Sequence, residues 1–135
     1  LNAIDRGVLS GRRAPTVITP HHGEFRRLAG SEPGWEQAAA LAADIGAVVV
    51  LKGGPTFVAG GEVWAVTSGG PELATVGSGD VLTGMIAALI ARGLDPETAA
   101  RSAAHRHGRA AAALDRQTTV TATGLMGAIG EWARW

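Results

Sequence analysis

An uninterrupted apolar run at residues 47–51 constrains the fold more than any other feature of this sequence. The run reads Ala-Val-Val-Val-Leu, and a strand built from it has no polar face to turn toward water. Such a strand must be covered on both sides, as strands of parallel sheets are. A second, β-branched run at residues 15–19 ends at Pro20 and predicts another strand. Together the two runs predict a layered α/β fold with helices around a sheet.

A hairpin and several helices account for the rest of the chain. The runs at residues 56–59 and 62–66 are separated by Gly60 and Gly61, which is the spacing of a β-hairpin. Helices are predicted at residues 24–29, 35–45, 81–92, 96–114 and 124–133. Because central strands are few, we expect one domain over residues 1–135 that is part of a larger, N-terminally truncated unit.

Composition narrows the classes of function. The 135 residues include 12 basic and 12 acidic side chains and no cysteine. A formal net charge of zero without a basic stripe argues against nucleic-acid binding, and the apolar runs are too short to span a membrane. The lack of cysteine excludes disulfides and thiolate chemistry. We expect a soluble, cytoplasmic protein.

The segment Gly77-Ser78-Gly79-Asp80 carries the strongest chemical signal. Its glycines allow a sharp turn that brings backbone N–H groups close to a ligand, at the start of a predicted helix where an anion is favoured. Asp80 is then placed to take a proton from a hydroxyl that attacks a phosphoryl group. The alternative is a tight turn in which Asp80 only favours the helix dipole.

Two further loops follow predicted strands. Lys52, the single lysine of the chain, ends the apolar strand and leads into a Gly-Gly-Pro-Thr loop at residues 53–56. Its ammonium is expected at the carboxyl edge of the sheet, where open α/β sheets bind ligands. His21 follows the other strand and could present a ring nitrogen to a polar ligand, whereas Glu24 suits a helix start without any other role.

Other conspicuous side chains are assigned to structure. His105 and His107 lie two residues apart on one predicted helix and therefore point to different faces. They form no metal pair, and one of them is expected to pack or cap. Trp64, Trp132 and Trp135 are interpreted as core or interface anchors.

Three segments match the motifs of one known family in order and spacing. They are Thr19-Pro20-His21-x-Gly23-Glu24-x-x-x-Leu28, Val50-Leu51-Lys52-Gly53-x-x-Thr56 and Leu73-Ala74-Thr75-x-Gly77-Ser78-Gly79-Asp80-Val81-Leu82. With them the chain resembles the ADP-dependent NAD(P)H-hydrate dehydratases, a branch of the ribokinase-like superfamily. The resemblance implies an α/β, ribokinase-like three-layer sandwich, of which this chain is the C-terminal half with parallel strands, a β-hairpin and flanking helices.

The resemblance also implies a reaction and roles for particular residues. Hydrated NADH or NADPH would be phosphorylated on its hydroxyl by ADP, or by ATP, with Mg²⁺, and phosphate would then be eliminated. Asp80 would be the catalytic base and contact the hydrate, as would His21. The nucleotide would be bound by Lys52, Gly53, Gly54, Pro55, Thr56 and Gly79, and the phosphoryl group by an anion hole of Gly77, Ser78 and Gly79. The resemblance implies a homo-oligomer, and no protein metal ligand is predicted.

Two alternatives stay open at this point. A ribokinase-like small-molecule kinase would share Asp80 and the anion loop but keep its phosphorylated product. The second alternative is a fragment that binds a nucleotide without catalysis, since the resemblance covers only about the C-terminal half of the family's domain. Val76 also departs from the family, which commonly has glycine there.

Overall fold

A four-stranded sheet forms the middle of the molecule. The structure, a computed structural model, describes residues 5–132. Its strands are β1 (Val17–Ile18), β2 (Val48–Leu51), β3 (Thr56–Ala59) and β4 (Val63–Val66), which lie side by side in that order. β1 and β2 are parallel, whereas β3 runs antiparallel to both β2 and β4. The predicted hairpin is therefore confirmed.

Helices connect and follow these strands. They are α1 (Arg6–Ser10), α2 (His22–Ala29), α3 (Trp35–Ile45), α4 (Ser78–Ala91), α5 (Pro96–Asp115) and α6 (Ala122–Trp132), with a 3₁₀ turn at Pro71–Leu73. α2 and α3 end at Gly30 and Gly46, whose φ angles of 68° and 61° are left-handed and favour glycine. α5 is capped by Asp95, whose side chain accepts a hydrogen bond from the N–H of Thr98.

Helices cover both faces of the sheet, which confirms the predicted three-layer sandwich. On one face, α1, α2 and α3 pack on Ile18, Val49, Leu51 and Ala59. On the other, α4 and α5 pack on Val50 and Val58. The alternation of neighbouring β2 residues between two cores is the period-2 geometry of a strand. The apolar run at residues 47–51 is therefore buried from both sides, as its sequence predicted.

Small residues bring α5 close to its neighbours. Ala99, Ala100, Ala103 and Ala104 are buried against α4 and the sheet, while Ala110 and Ala111 pack against α6. Alanine fills little space, so α5 can pack closely against its neighbours.

Several predictions differ from the structure in detail. α2 begins at His22, two residues before its predicted start. α4 begins at Ser78 rather than at residue 81, because Gly77 caps the helix and places Asp80 inside its first turn. α6 begins at Ala122, two residues before the predicted start. Of the two roles predicted for Trp64, the core position is wrong, because the residue lies on edge strand β4 and is 39% exposed; the interface role stays a prediction. The Trp64 indole N–H donates to Glu97 at 2.9 Å, and the Arg101 guanidinium lies 4.4 Å from its ring centroid.

Some predictions fall outside the described residues. They concern the side chains of Trp132 and Trp135 and the predicted end of the last helix at residue 133. Among the helices that are described, none has the length and apolarity needed to cross a bilayer.

Candidate active site

A cavity of about 800 Å³ opens at the carboxyl ends of β1 and β2. Its walls come from the first turns of α2 and α4, the loop after β2, the segment 68–75 and one side chain of α5. The N–H of Lys52 donates to the carbonyl of Pro20 at 2.9 Å, and His21 and Lys52 form a parallel bridge. Two of the loops that the sequence predicted to carry function are thus joined directly.

The side chain of Lys52 reaches the start of α4. Its Nζ lies 2.9 Å from the point where a β-carbon on Gly79 would stand, so the missing side chain at Gly79 makes room for the ammonium. The N-terminus of α4 carries the partial positive charge of the helix dipole. An ammonium group placed beside it makes this corner of the cavity a strong site for an anion such as a phosphate.

The Gly77–Gly79 turn is held by its own hydrogen bonds. Gly77 has a φ of 86°, and its carbonyl accepts from the N–H groups of Asp80 and Val81, both at 3.1 Å. The N–H of Ser78 donates to Thr75 at 3.3 Å, and the buried Ser78 hydroxyl donates to the Leu73 carbonyl at 2.6 Å. Ser78 therefore fastens the preceding loop, and its hydroxyl is already engaged.

Asp80 lies in the first turn of α4 with its carboxylate exposed. No salt bridge or side-chain hydrogen bond from residues 5–132 engages this carboxylate. The same helix turn is fixed by Thr83, whose hydroxyl donates to the Gly79 carbonyl at 2.9 Å and lies 3.1 Å from the Thr19 hydroxyl. The free carboxylate is thus carried by a backbone anchored to the end of β1.

His21 caps α2 through a capping box. Its Nδ1 accepts from the N–H groups of Gly23 and Glu24 at 3.0 and 3.2 Å, and the Glu24 carboxylate accepts from the His21 N–H at 2.9 Å. Because Nδ1 is an acceptor, the proton of the neutral ring sits on Nε2. The His21 ring lines the cavity and its side chain is 56% exposed, with its Nε2 3.5 Å from the Glu24 Oε2.

Glu24 stays ionised at neutral pH. Burial acts to raise the pKa of its carboxyl, but the His21 hydrogen bond and the nearby His21 and Lys52 charges outweigh burial, and the pKa is lowered from 4.5. The carboxylate thus stabilises the first turn of α2 and lies within electrostatic reach of the Lys52 ammonium.

The loop after Lys52 is compact. The Thr56 hydroxyl donates to the Gly53 carbonyl at 3.1 Å, and a β-carbon on Gly53 would stand 2.7 Å from the His22 Nε2. Gly53, Gly54 and Thr56 line the cavity, as does His22. Pro55, which follows a cis peptide bond, is exposed and stands outside the set of lining residues.

His107 is a cavity residue that the sequence interpretation assigned only to packing. It is 4% exposed, whereas His105 is exposed, so the two rings do lie on different faces of α5. Burial lowers the pKa of His107 below 6.5, and a hydrogen bond with the backbone of Ser78 opposes this shift. Its Nε2 is buried and has no hydrogen-bond partner among the described residues.

The remaining wall, residues 68–70, lies directly on α5. A β-carbon on Gly108 would stand 2.0 Å from the Ser68 carbonyl oxygen, and Gly69 has a φ of 89°. The Ser68 hydroxyl donates to the His105 carbonyl at 3.0 Å. Only a helix without a side chain at residue 108 lets this loop approach so closely.

Metal-binding side chains are not clustered in the part of the chain that the structure describes: no group of three or more His, Asp or Glu residues there could hold an ion. The arrangement supplies an ammonium and a helix N-terminus for an anion. The exposed carboxylate of Asp80 follows in the same helix turn, although Asp80 and Gly77 stand outside the set of cavity-lining residues.

The fold defines the class of protein. A ribokinase-like superfamily protein of Enterococcus faecalis aligns with a TM-score of 0.79 and 26% identity, over 94% of this chain and 49% of that one. An ADP/ATP-dependent NAD(P)H-hydrate dehydratase of Bacillus subtilis, co-crystallised with ATP and Mg²⁺, aligns with a TM-score of 0.82 and 33% identity, over 95% of this chain and 54% of that one. The ribokinase-like fold is therefore confirmed.

Sequence comparison defines the family. The sequence model of the NAD(P)H-hydrate dehydratases matches residues 1–130. The bifunctional NAD(P)H-hydrate repair enzyme of Mycobacterium tuberculosis is 52% identical over 98 residues, which are 69% of this chain and 21% of that protein. The chain belongs to the NAD(P)H-hydrate dehydratase family. It spans about half the length of the solved relatives and about a fifth of the bifunctional enzyme.

Proposed function

We propose that this chain carries the phosphoryl-transfer site of an ADP-dependent dehydratase that repairs hydrated NADH or NADPH. The observation that carries the proposal is the position of the Lys52 Nζ against Gly79, at the N-terminus of a helix whose first turn also holds Asp80. An anion site and a free carboxylate on consecutive residues suit transfer of a phosphoryl group to a hydroxyl.

The donor nucleotide is assigned to the cavity. In this proposal the Lys52 ammonium and the N–H groups at Gly77, Ser78 and Gly79 bind its terminal phosphates, for which the Ser78 N–H gives up its 3.3 Å bond to Thr75. The loop of Gly53, Gly54, Pro55 and Thr56 lies along the nucleotide. Gly79 fits this role because a side chain there would collide with Lys52. Mg²⁺ brought by the nucleotide would neutralise phosphate charge, since this ion is usually held by phosphates, water and few carboxylates.

Asp80 is assigned as the base. Its carboxylate takes the proton of the hydrate's hydroxyl while that oxygen bonds to the terminal phosphorus of ADP and the bond to the leaving AMP breaks. Loss of phosphate from the ring carbon, together with a proton from the neighbouring ring carbon, then restores the nicotinamide double bond. His21 is assigned to hold the hydrate through its Nε2–H, because its Nδ1 is occupied by the α2 cap.

Other features of the assembly remain predictions. From the sequence we expect a homo-oligomer, a cytoplasmic location and no binding of nucleic acid. We also expect a single domain that forms the C-terminal part of a larger unit. Because the chain spans 54% of the Bacillus subtilis structure, nucleotide binding without turnover is the second candidate function.

Turnover and product analysis test the proposal. The chain is mixed with NADH hydrate, Mg²⁺ and ADP or ATP, and recovery of NADH absorbance is followed while phosphate and phosphorylated hydrate are measured. Recovered NADH with free phosphate supports the dehydratase, whereas a stable phosphorylated product supports a kinase. Binding of ADP without either product supports the second candidate.

Chemical labelling tests the nucleotide site separately. Because Lys52 is the single lysine, an amine-reactive ester followed by mass spectrometry reports one side chain beside the N-terminal amine. We expect ADP to protect Lys52 and leave the N-terminal amine unchanged. Equal labelling of Lys52 with and without saturating ADP would contradict the assignment of the phosphates to this corner.

A further inference from the structure

A pair of threonine hydroxyls links the first turn of α4 to the end of β1. The Oγ1 atoms of Thr19 and Thr83 lie 3.1 Å from each other although the two residues are 64 positions apart in the chain. The Thr83 hydroxyl also donates to the Gly79 carbonyl at 2.9 Å. Neither threonine stands among the residues that line the cavity, so the pair supports the site without forming the wall that faces the nucleotide.

The two hydrogen bonds can form together in only one direction. A hydroxyl has one hydrogen to donate and lone pairs with which it accepts, whereas a carbonyl oxygen only accepts. The hydrogen of the Thr83 hydroxyl goes to Gly79, so Thr19 must be the donor in its contact with Thr83. The result is an ordered hydroxyl chain from Thr19 through Thr83 to Gly79, in which each hydrogen bond polarises and strengthens the next.

The hydroxyl chain ends on the peptide group that carries Asp80. The Gly79 carbonyl and the Asp80 N–H belong to one planar unit, and Thr83 lies three residues beyond Asp80, on the same face of α4. A hydrogen bond from a threonine hydroxyl to the carbonyl four residues earlier occurs within single helices. Here the bond from Thr19 adds a second element, so the position of the Asp80 backbone is set relative to β1.

The end of β1 also fixes the phosphate-binding side of the site. Thr19 is followed by Pro20, whose carbonyl accepts from the Lys52 N–H at 2.9 Å, and the Lys52 Nζ lies beside Gly79. The carboxylate and the ammonium are therefore both attached to neighbouring residues of one strand end. Phosphoryl transfer depends on the relative position of such groups, because a displacement of about 1 Å can cost about a hundredfold in rate.

We propose that Thr83 and Thr19 are positioning residues for Asp80, and that their hydroxyl chain holds this base where the hydroxyl of the hydrate meets the phosphate. The inference rests on the proposed function, because it takes Asp80 to be the base. Since neither threonine lines the nucleotide cavity, the hydroxyl chain should act on kcat and leave the affinity for ADP unchanged.

Turnover of NADH hydrate with ADP and Mg²⁺, together with calorimetric ADP binding, tests the inference. Thr83→Val keeps the shape of the side chain but removes both hydrogen bonds, and we expect it to lose about tenfold in kcat. Thr83→Ser keeps the hydroxyl and should stay within about threefold of wild type. All variants should bind ADP within about twofold of the wild-type affinity.

A second substitution and a control show whether the two hydroxyls act as one unit. Thr19→Val removes only the first bond and should lose about threefold in kcat. The double variant Thr19→Val/Thr83→Val should lose no more than Thr83→Val alone, because that substitution already breaks the whole hydroxyl chain. Thr123→Val, at an exposed position of α6, is the matched control and should equal wild type.

Each result decides the matter. Thr83→Val within about twofold of the wild-type kcat, an equal loss in Thr83→Ser, or a parallel loss of ADP affinity would overturn the positioning role and leave the proposed function intact. If wild type shows no turnover, the proposed function fails, and the amide resonance of Asp80 decides the inference. That N–H shares its peptide group with the Gly79 carbonyl, so Thr19→Val must shift its resonance and Thr123→Val must not. An unmoved Asp80 resonance in Thr19→Val would overturn the inference.

Discussion

Replacing Gly108 by alanine should damage this protein, although alanine is the better helix former. Gly108 lies inside α5, where the loop at Ser68 rests directly on the helix backbone. The new β-carbon would stand 2.0 Å from the Ser68 carbonyl oxygen, whereas carbon and oxygen come no closer than about 3.3 Å in proteins. Ser68 would have to move by more than an ångström, and Gly69 and Gly70 would move with it.

The expected loss of stability in Gly108→Ala is the difference between two costs and one gain in free energy. Forcing a methyl group into a packed contact costs about 1–3 kcal/mol, and losing the hydrogen bond from Ser68 to the His105 carbonyl adds about 1 kcal/mol. Better helix propensity returns about 1 kcal/mol. We expect a net loss of about 2 kcal/mol, which lowers Tm by about 5–10 °C in a chain of this size.

Gly84→Ala is the matched control. Gly84 also lies inside a helix, α4, and a β-carbon there would meet no atom within 4 Å. The same substitution should therefore stabilise the protein by about 0.5–1 kcal/mol. Thermal unfolding followed by circular dichroism, with calorimetric ADP titration, separates the variants. Gly108→Ala should also weaken ADP binding, because residues 68–70 line the cavity. Equal Tm shifts in the two variants would refute the reasoning.

Three further predictions concern charge and capping. Lys52→Met should weaken ADP binding by about tenfold to a hundredfold in calorimetry, because the phosphate loses an ammonium at a helix N-terminus, and Lys52→Arg should restore part of it. Glu24→Ala should lower the free energy of urea unfolding by about 1 kcal/mol through loss of the capping box, whereas Glu36→Ala at the exposed start of α3 should change it by less than half as much. The folded-state pKa of His107 lies below 6.5, so on acidification the unfolded chain binds the proton before the folded chain does. Wild-type stability therefore falls as the pH drops below about 6.5, by at most about 1.4 kcal/mol per pH unit. His107→Gln removes this titrating group and should lose less stability over the same pH range. Equal pH slopes for wild type and His107→Gln would contradict the assigned shift.

The fold could be predicted because its signals are local. The apolar run at residues 47–51 has one structural solution, a strand covered on both sides, and Gly30 and Gly46 end their helices because only glycine adopts the left-handed cap cheaply. The start of α4 was predicted too late, at residue 81, because the apolar pattern begins there. A φ of 86° at Gly77 lets the helix begin earlier, at Ser78.

The sequence predicted those site residues that directly follow a strand or lie in the first turn of a helix. Lys52 and Gly79 lie together at the cavity, and Asp80 follows Gly79 in the first turn of α4. The partners of Trp64, which are Glu97 and Arg101, could not be predicted because they come from a helix more than thirty residues away. No sequence spacing reports such a pairing.

The sequence analysis expected one histidine of α5 to pack or cap, but it did not say which one or place it at the cavity, although a signal was present. Ala103, Ala104, Ala110 and Ala111 mark the buried face of α5, and His107 falls on that face by helical periodicity. A histidine within an alanine face predicts a buried ring. That its Nε2 is left without a partner depends on the shape of the cavity, which only the three-dimensional structure reveals.

The most direct test of the account separates binding from chemistry at Asp80. Asp80→Asn keeps the size of the side chain and removes the base, and Asp115→Asn, at the exposed end of α5, is the control. With NADH hydrate, Mg²⁺ and ADP, we expect Asp80→Asn to lose several orders of magnitude in kcat. Its affinity for ADP should be unchanged or slightly higher, because a carboxylate beside the phosphates is removed. Asp115→Asn should match wild type. Turnover by Asp80→Asn within tenfold of wild type would contradict the central claim.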